Sequence, residues 1–305
     1  ELGVEPSAQT RLLYERLRIG EGTPPPPRPA AAPVESPTHN LPVQLTSFIG
    51  REKEIAEIGR LLTPAKQARA EEAVHLLTLT GPGGTGKTRL ALQAATQLLD
   101  AFPDGIWVVE LAMLSDPGLV PQTVAALLGV REEPNYPLIR ALTAHLRTKT
   151  LLLVLDNCEH LIETCAQFVE TLLRACANLK VLVTSRETLG VMGERILRVP
   201  SLRLPDGPET LPLHELAQCE ALRLFVDRAA TVKPSFTLNE ANASAVTQIC
   251  QQLDGVPLAI ELAAAYVKLL SPQAMLVQLD SLWLEMKRSL RNIPARQQTL
   301  RNTIA

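Results

Sequence analysis

The sequence predicts an α/β fold, a parallel sheet covered on both faces by helices and followed by a small helical domain. Three observations carry that prediction. Apolar β-like runs recur at 74–79, 106–110, 151–155 and 179–183 with helical patterns between them, the alternation expected of parallel strands joined by crossover helices. A glycine-rich stretch, Gly81-Pro82-Gly83-Gly84-Thr85-Gly86-Lys87-Thr88, lies one residue beyond the first run and opens the helical pattern Leu90-Ala91-Leu92-Gln93-Ala94-Ala95. Past Pro205 the β-like runs stop and helical periodicity takes over.

From the N-terminus, residues 7–19 carry a candidate N-cap, Ser7, and apolar side chains at helical spacing, as the last helix of a preceding domain (1–20) would. Residues 21–43 hold Pro24, Pro25, Pro26, Pro27, Pro29, Pro33 and Pro37; proline removes backbone donors and fixes φ, so an extended, semi-rigid linker is expected. Phe48-Ile49-Gly50-Arg51-Glu52 then leads into a helix whose Ile55, Ile58 and Leu62 share a face. The α/β domain is expected over 44–203. Its clearest helix carries Leu161, Ile162, Cys165, Phe168, Val169, Leu172, Leu173 and Cys176 on one side, with Glu163, Gln167, Glu170 and Arg174 on the other. A helical domain follows over 204–290. Cys219, Leu222, Val226 and Ala229 mark one of its helices, and Val246, Ile249, Cys250 and Leu253 another. Gly255 before Pro257 gives a stop and a start, and Ser271-Pro272 a further start. Residues 291–305 begin one more helical stretch.

Composition narrows the function. With 46% hydrophobic residues in 305 the chain has material for ordinary cores, and a net charge of −2 leaves no global basic field for gripping nucleic acid. The longest apolar stretch, 256–270, is broken by Glu261 and Lys268 and is too short to cross a bilayer. The chain starts at Glu1 beside a helical pattern, without an initiator Met or signal-peptide pattern, and is expected to be a fragment of a longer soluble, cytoplasmic protein. Cys158, Cys165, Cys176, Cys219 and Cys250 form no C-x-x-C pair, which argues for buried free thiols in a reducing compartment.

The glycine-rich stretch matches G-x-x-x-x-G-K-[ST], the phosphate loop of P-loop NTPases. Gly81, Gly83, Gly84, Thr85 and Gly86 let the backbone curl so that successive N–H groups meet phosphate oxygens. Lys87 reaches the β- and γ-phosphates, Thr88 offers a hydroxyl to Mg²⁺, and Arg89 follows in the same helical turn. The strand Leu151-Leu152-Leu153-Val154-Leu155 ends in Asp156, placed to order Mg²⁺ through water. The next strand ends in Thr184-Ser185-Arg186. From the residues alone Arg186 reads first as a surface partner of Glu187 or Glu194, with γ-phosphate sensing as the alternative.

Taken together and in order, Phe48-Ile49-Gly50-Arg51-Glu52, the phosphate loop, Leu152 to His160, Thr184-Ser185-Arg186 and Gly255-Val256-Pro257-Leu258 resemble NB-ARC domains of STAND-class signalling ATPases. The pattern is similar in particular to bacterial transcriptional regulators of the Streptomyces antibiotic regulatory protein type. Residues 1–16 resemble the closing helix of a bacterial transcriptional activation domain. The resemblance implies that Ile49, Gly50 and Arg51 line adenine through backbone contacts, that Pro257 packs on the base, and that Arg186 senses the γ-phosphate. It implies further that Arg296 to Arg301 open a winged-helix domain. ADP is then expected to hold a closed form and ATP an open one in which the full-length protein self-associates. DNA contact would come only through a region upstream of Glu1. One departure stands out: Asn157 follows Asp156 where many such domains carry a second acid, and an amide cannot take a proton from water. Hydrolysis is therefore expected to be slow, with Glu159 and His160 read as ordinary loop residues. The competing readings are a turnover ATPase, a P-loop phosphotransferase, for which no acceptor site is visible, and a DNA-binding module.

Overall fold

The structure is a computed structural model that describes residues 39–64, 74–132, 134–205 and 211–278, with Ala8, Arg11 and Glu15. The chain divides into two compact units, Glu1–Pro37 and Thr38–Ala305, and the fold below belongs to the second. Most of the expected N-terminal helix, the proline-rich linker through residue 38, residues 279–290 and the expected winged-helix start at 291–305 lie outside the described residues.

Five strands form one sheet: β1 (Leu76–Thr80), β2 (Ile106–Glu110), β3 (Leu152–Asp156), β4 (Lys180–Ser185) and β5 (Glu194–Arg198). Their order is β2-β3-β4-β1-β5, and every pairing is parallel. Side chains alternate faces along each strand, and both faces are covered. Leu153, Leu155, Val181 and Val183 pack with Phe168, Val169 and Leu172 of α5 (Ile162–Ala175), on the side that also holds α3 (Val120–Leu127) and α4 (Leu138–Leu146). Leu152, Val154 and Leu182 pack on the other side with Ile58 of α1 (Glu52–Leu62) and with Leu90, Ala91 and Ala94 of α2 (Lys87–Gln97). Burying both faces is why four of these strands read as continuous apolar runs.

β5 is the element that the sequence pattern does not announce. Its residues, Glu194-Arg195-Ile196-Leu197-Arg198, are half-buried or exposed along their length, because an edge strand has one neighbour and needs no continuous apolar run. The opposite edge, β2, is closed by the chain itself. His39 bridges Ile106 in parallel, and the Asn40 amide donates to the Val108 carbonyl at 2.8 Å while accepting the Val108 N–H at 2.6 Å. That side-chain amide takes the place of a peptide group at the sheet edge.

After β5 the chain forms α6 (Leu213–Leu216), α7 (Glu220–Val232), α8 (Glu240–Gln252), α9 (Pro257–Ala265) and α10 (Pro272–Val277). They enclose a separate core that includes Leu222, Phe225, Val246, Ile249, Cys250, Ile260 and Ala263. Gly255 joins this helical layer to the segment leaving β5: the Leu202 N–H donates to its carbonyl at 2.9 Å. Its φ is +64°, and a Cβ there would stand 2.4 Å from the Leu202 carbonyl oxygen, so glycine is required both by conformation and by space.

Candidate nucleotide-binding site

Between Thr80, the end of β1, and Lys87, the start of α2, the chain must turn sharply. Gly81, Gly84 and Gly86 have φ of +150°, +77° and +85°, and Gly86 caps α2 from the left-handed region. Turns of this type gather N–H groups into an anion-binding nest at the positive end of the helix dipole. Inside the loop the Thr85 hydroxyl donates to the Pro82 carbonyl at 2.9 Å. Lys87 Nζ folds back to donate to the carbonyls of Gly81 and Pro82, at 2.8 and 2.9 Å. Burial pushes the Lys87 ammonium below its ordinary pKa, with Glu159 and Asp156 pulling the other way. A half-buried cation whose hydrogen-bond partners are carbonyls is what a phosphate would compensate.

The parallel register delivers the second group. Asp156, at the tip of β3, accepts from the Thr88 hydroxyl at 2.6 Å and from the Thr184 hydroxyl at 2.7 Å, both on Oδ1. Thr184 reaches it because β4 lies between β3 and β1, and it accepts the Asn157 N–H at 2.9 Å. Burial raises the Asp156 carboxyl above the usual carboxylate range, against the two hydroxyl hydrogen bonds. Arg186 pairs with Glu159 at 3.2 Å, and neither of the partners expected from sequence holds it. Glu194 instead accepts the N–H groups of Leu189 and Gly190. The His160 ring meets the Leu114 carbonyl at 2.9 Å, a loop-fastening contact.

A cleft of about 260 Å³ runs from the phosphate loop to the helical layer. Of the residues expected in the site, Ile49, Arg51, Gly83, Gly84, Thr85, Gly86, Lys87, Thr88, Arg89 and Pro257 line it. Gly50, Gly81, Asp156 and Arg186 do not; Gly50 packs instead against the Glu220 side chain. The backbone N–H of Arg51, read from the resemblance as facing adenine, donates to Glu220 at 3.0 Å. Its guanidinium runs beneath the loop to the carbonyls of Thr85 and Pro200, at 2.6 and 2.8 Å. Phe48, Thr184, Leu202, Leu224, Leu258 and Glu261 also line the cleft. Sequence reasoning did not single these out as site residues, although Thr184 sits in a quoted strand-end motif and Glu261 lies one helical turn after Pro257.

These residues fit an adenine nucleotide with Mg²⁺. Thr88 and Asp156 are hard oxygen donors of the kind Mg²⁺ takes together with phosphate and water. Arg51, which lines the cleft, has its Nη1 buried without a hydrogen-bond partner, an orphan donor beside the loop. Outside the loop the lining is largely apolar, with Phe48, Ile49, Leu202, Leu224, Pro257 and Leu258, as a flat base requires.

Residues 71–192 match the family model described as AAA domain. An uncharacterized protein of Mycobacterium tuberculosis is 38% identical over 278 residues, covering 91% of this chain and 65% of its own length. A candidate HTH-type transcriptional regulator of the same organism is 42% identical over 230 residues, 75% of this chain and 24% of that protein. The regulatory protein AfsR of Streptomyces coelicolor is 27% identical over 279 residues, 87% of this chain and 26% of its own. The chain therefore spans 65% of the first relative and about a quarter of the two regulators. Among solved structures, Drosophila ORC bound to DNA is similar at a TM-score of 0.52 and 16% identity, covering 93% of this chain and 77% of that chain, a likeness of fold. The fold is that of a P-loop NTPase, of AAA type, in a chain related to regulatory proteins. Among the described residues no helix is long and apolar enough to cross a membrane.

Proposed function

We propose that this chain is an adenine-nucleotide switch of the NB-ARC, STAND-class kind, working inside a bacterial transcriptional regulator. The observation that carries the reading is the two-sided cleft. The phosphate loop forms one wall, Pro257 and Leu258 of α9 form the other, and the Leu258 N–H donates to the Gly84 carbonyl at 3.2 Å. A ligand lying in it would touch both layers, so its affinity would depend on their closure, which is the differential binding that a switch needs. In this reading Lys87 and the loop hold the phosphates, Thr88 and Asp156 hold Mg²⁺, Pro257 packs on the base, and Arg186 leaves Glu159 to meet a γ-phosphate. The bound metal would supply charge neutralisation for the phosphates. The expected division into 44–203 and 204–290 would make α9 the moving wall, and opening would expose surface for self-association in the full-length protein.

Slow hydrolysis is part of the proposal. Asn157 has no basic side-chain atom, and the His160 ring is spent on Leu114. Glu159 lines the cleft nonetheless, and that one observation favours the second reading, a turnover ATPase. Similarity to the Streptomyces regulator and to the mycobacterial HTH-type protein supports the transcriptional setting, with DNA contacted through regions outside residues 1–305. Identification of the nucleotide released on denaturing purified protein, followed by single-turnover cleavage of ATP, tests both readings. Retained ADP and cleavage well below the ~1 s⁻¹ of ordinary enzymes support the switch. Absence of any adenine nucleotide affinity overturns it, and rapid cleavage favours turnover.

A further inference from the structure

Glu261 follows Pro257 by one turn of α9 and also lines the cleft. Its Oε1 accepts from two arginines of different elements, Arg89 Nη1 of α2 at 2.9 Å and Arg228 Nε of α7 at 3.0 Å. Two guanidiniums brought onto one oxygen would repel each other without the carboxylate between them. Both arginines spend further donors on Ser47, and Arg89 reaches Thr46 as well. Arg89 Nη2 donates to the Thr46 carbonyl and hydroxyl, at 3.1 Å each, and to the Ser47 carbonyl at 2.9 Å. Arg228 donates to the Ser47 carbonyl at 2.8 Å and to its hydroxyl at 3.1 Å. Ser47 in turn donates to Asp227, which also meets Arg228.

Thr46 and Ser47 precede Phe48 and Ile49, two apolar walls of the base end, and residues 41–49 belong to neither helix nor strand. No ladder holds this segment in place. Leu41, Phe48 and Ile49 pack against the two cores, the pair of arginines supplies the polar fastening of Thr46 and Ser47 between them, and Arg89 also stands 6.0 Å from the centroid of the Phe48 ring. Arg228 is 10% exposed and is shared between Glu261 and Asp227, so removing the Glu261 charge leaves this nearly buried cation with Asp227 alone and frees its Nε from the link to α9.

We propose that Glu261 is a positioning residue for the base wall: through Arg89 and Arg228 it fixes Thr46 and Ser47, and through them sets Phe48 and Ile49 against the nucleobase. This rests on the adenine-nucleotide reading and adds to it a determinant from the helical layer that touches no phosphate. The wall facing the base is then completed only when α2, α7 and α9 are together, so base affinity and closure of the two layers become one event.

The test compares ADP with inorganic tripolyphosphate by calorimetry on the whole chain. Glu261→Gln keeps the shape and removes the charge; ADP affinity should fall about tenfold while tripolyphosphate affinity is unchanged, because Lys87 and the loop are untouched. Arg228→Gln, at an arginine that does not line the cleft, should reproduce that selective loss, and the double variant should be no worse than Glu261→Gln alone, since one linkage has been cut twice. Unaltered ADP affinity in Glu261→Gln, or equal losses for both ligands, overturns the proposal while leaving the nucleotide reading intact. Wild-type protein that takes tripolyphosphate but not ADP removes the nucleotide reading and this inference with it.

Discussion

The two ends of the cleft are built in opposite ways. The phosphate end is mostly a local object: residues 81–88 supply the loop, Lys87 and Thr88 in one uninterrupted run, Asp156 and Thr184 join from β3 and β4, and Arg51 and Leu258 bond to loop carbonyls from outside. The base end is an assembly. Phe48 and Ile49 come from an irregular segment, Leu202 from the exit of β5, Leu224 from α7, and Pro257, Leu258 and Glu261 from α9. A local object keeps its geometry while the rest of the molecule moves; an assembly spanning two layers exists only while they are docked. The difference teaches where a ligand can report on conformation: phosphate contacts can hold a nucleotide in any state, whereas base contacts can tell closed from open.

The sharpest way to break the comparison is at the phosphate end. Lys87→Ala should lower affinity for both ADP and tripolyphosphate by about a hundredfold or more, because it removes a charge-assisted contact from a partly buried site. Calorimetry measures the loss, and the melting temperature should hold, since Lys87 Nζ contacts only loop carbonyls. A loss confined to ADP would mean that the lysine serves the base end.

The reverse break is Phe225→Ala. Phe225 is fully buried in the helical core, with its ring 6.0 Å from that of Phe236, and truncation should destabilise that layer by about 3–5 kcal/mol. Tripolyphosphate binding should survive while ADP binding falls towards it, and limited proteolysis should cut first between α6 and α10. Equal survival of both ligands would show that the base end does not need the helical layer.

Pro257→Gly is a smaller cut at the same end. It removes one apolar ring and loosens the start of α9, where Gly86 lies 4.0 Å from the proline ring by its ideal Cβ position. ADP affinity should drop about tenfold, with tripolyphosphate affinity unaltered. A glycine variant that binds ADP normally would reduce Pro257 to a helix start.

The contrast also explains what can be read from the sequence. The phosphate loop, Asp156 and four strands are legible because each depends on consecutive residues or on a continuous apolar run. β5 is not, since its exposed edge permits Glu194, Arg195 and Arg198. Thr184 is hidden for a topological reason: nothing in its own strand says that β4 will lie between β3 and β1. Arg89 and Glu261 are 172 residues apart and Arg228 and Glu261 are 33 apart, so the knot at the base end has no local signature. Arg51 is visible as a site residue, but its direction is not; Glu220, 169 residues away, takes the N–H that the family resemblance assigns to the base.

Titration separates the two ends by sign, and here the expected effects are smallest. Burial pushes the Glu220 carboxyl up, but the N–H groups of Arg51 and Arg203 and the Arg203 guanidinium outweigh it and hold the group below its ordinary value. A depressed carboxyl stabilises the fold above its unfolded pKa and loses that contribution as pH falls through its folded value. Glu220→Gln should therefore lower the melting temperature at neutral pH and flatten the acid limb of the stability profile. Asp156 is the opposite case. Its folded pKa is raised, chiefly by burial, so the folded chain binds that proton more tightly than the unfolded one. The contribution is present at low pH and disappears as pH rises through the folded value, which leaves the charged form slightly destabilising at neutral pH. Asp156→Asn keeps an acceptor for Thr88 and Thr184, removes the buried charge, and should raise the melting temperature of the ligand-free protein a little at neutral pH. The gain should vanish below the ordinary carboxylate range of about 4. The same substitution should abolish the extra stabilisation that Mg²⁺ adds to ADP, because the destabilising charge is the one a cation would relieve. A lower neutral-pH melting temperature in Asp156→Asn would show that the two hydroxyl hydrogen bonds outweigh desolvation, and that the phosphate end, like the base end, is stabilised by its carboxylate.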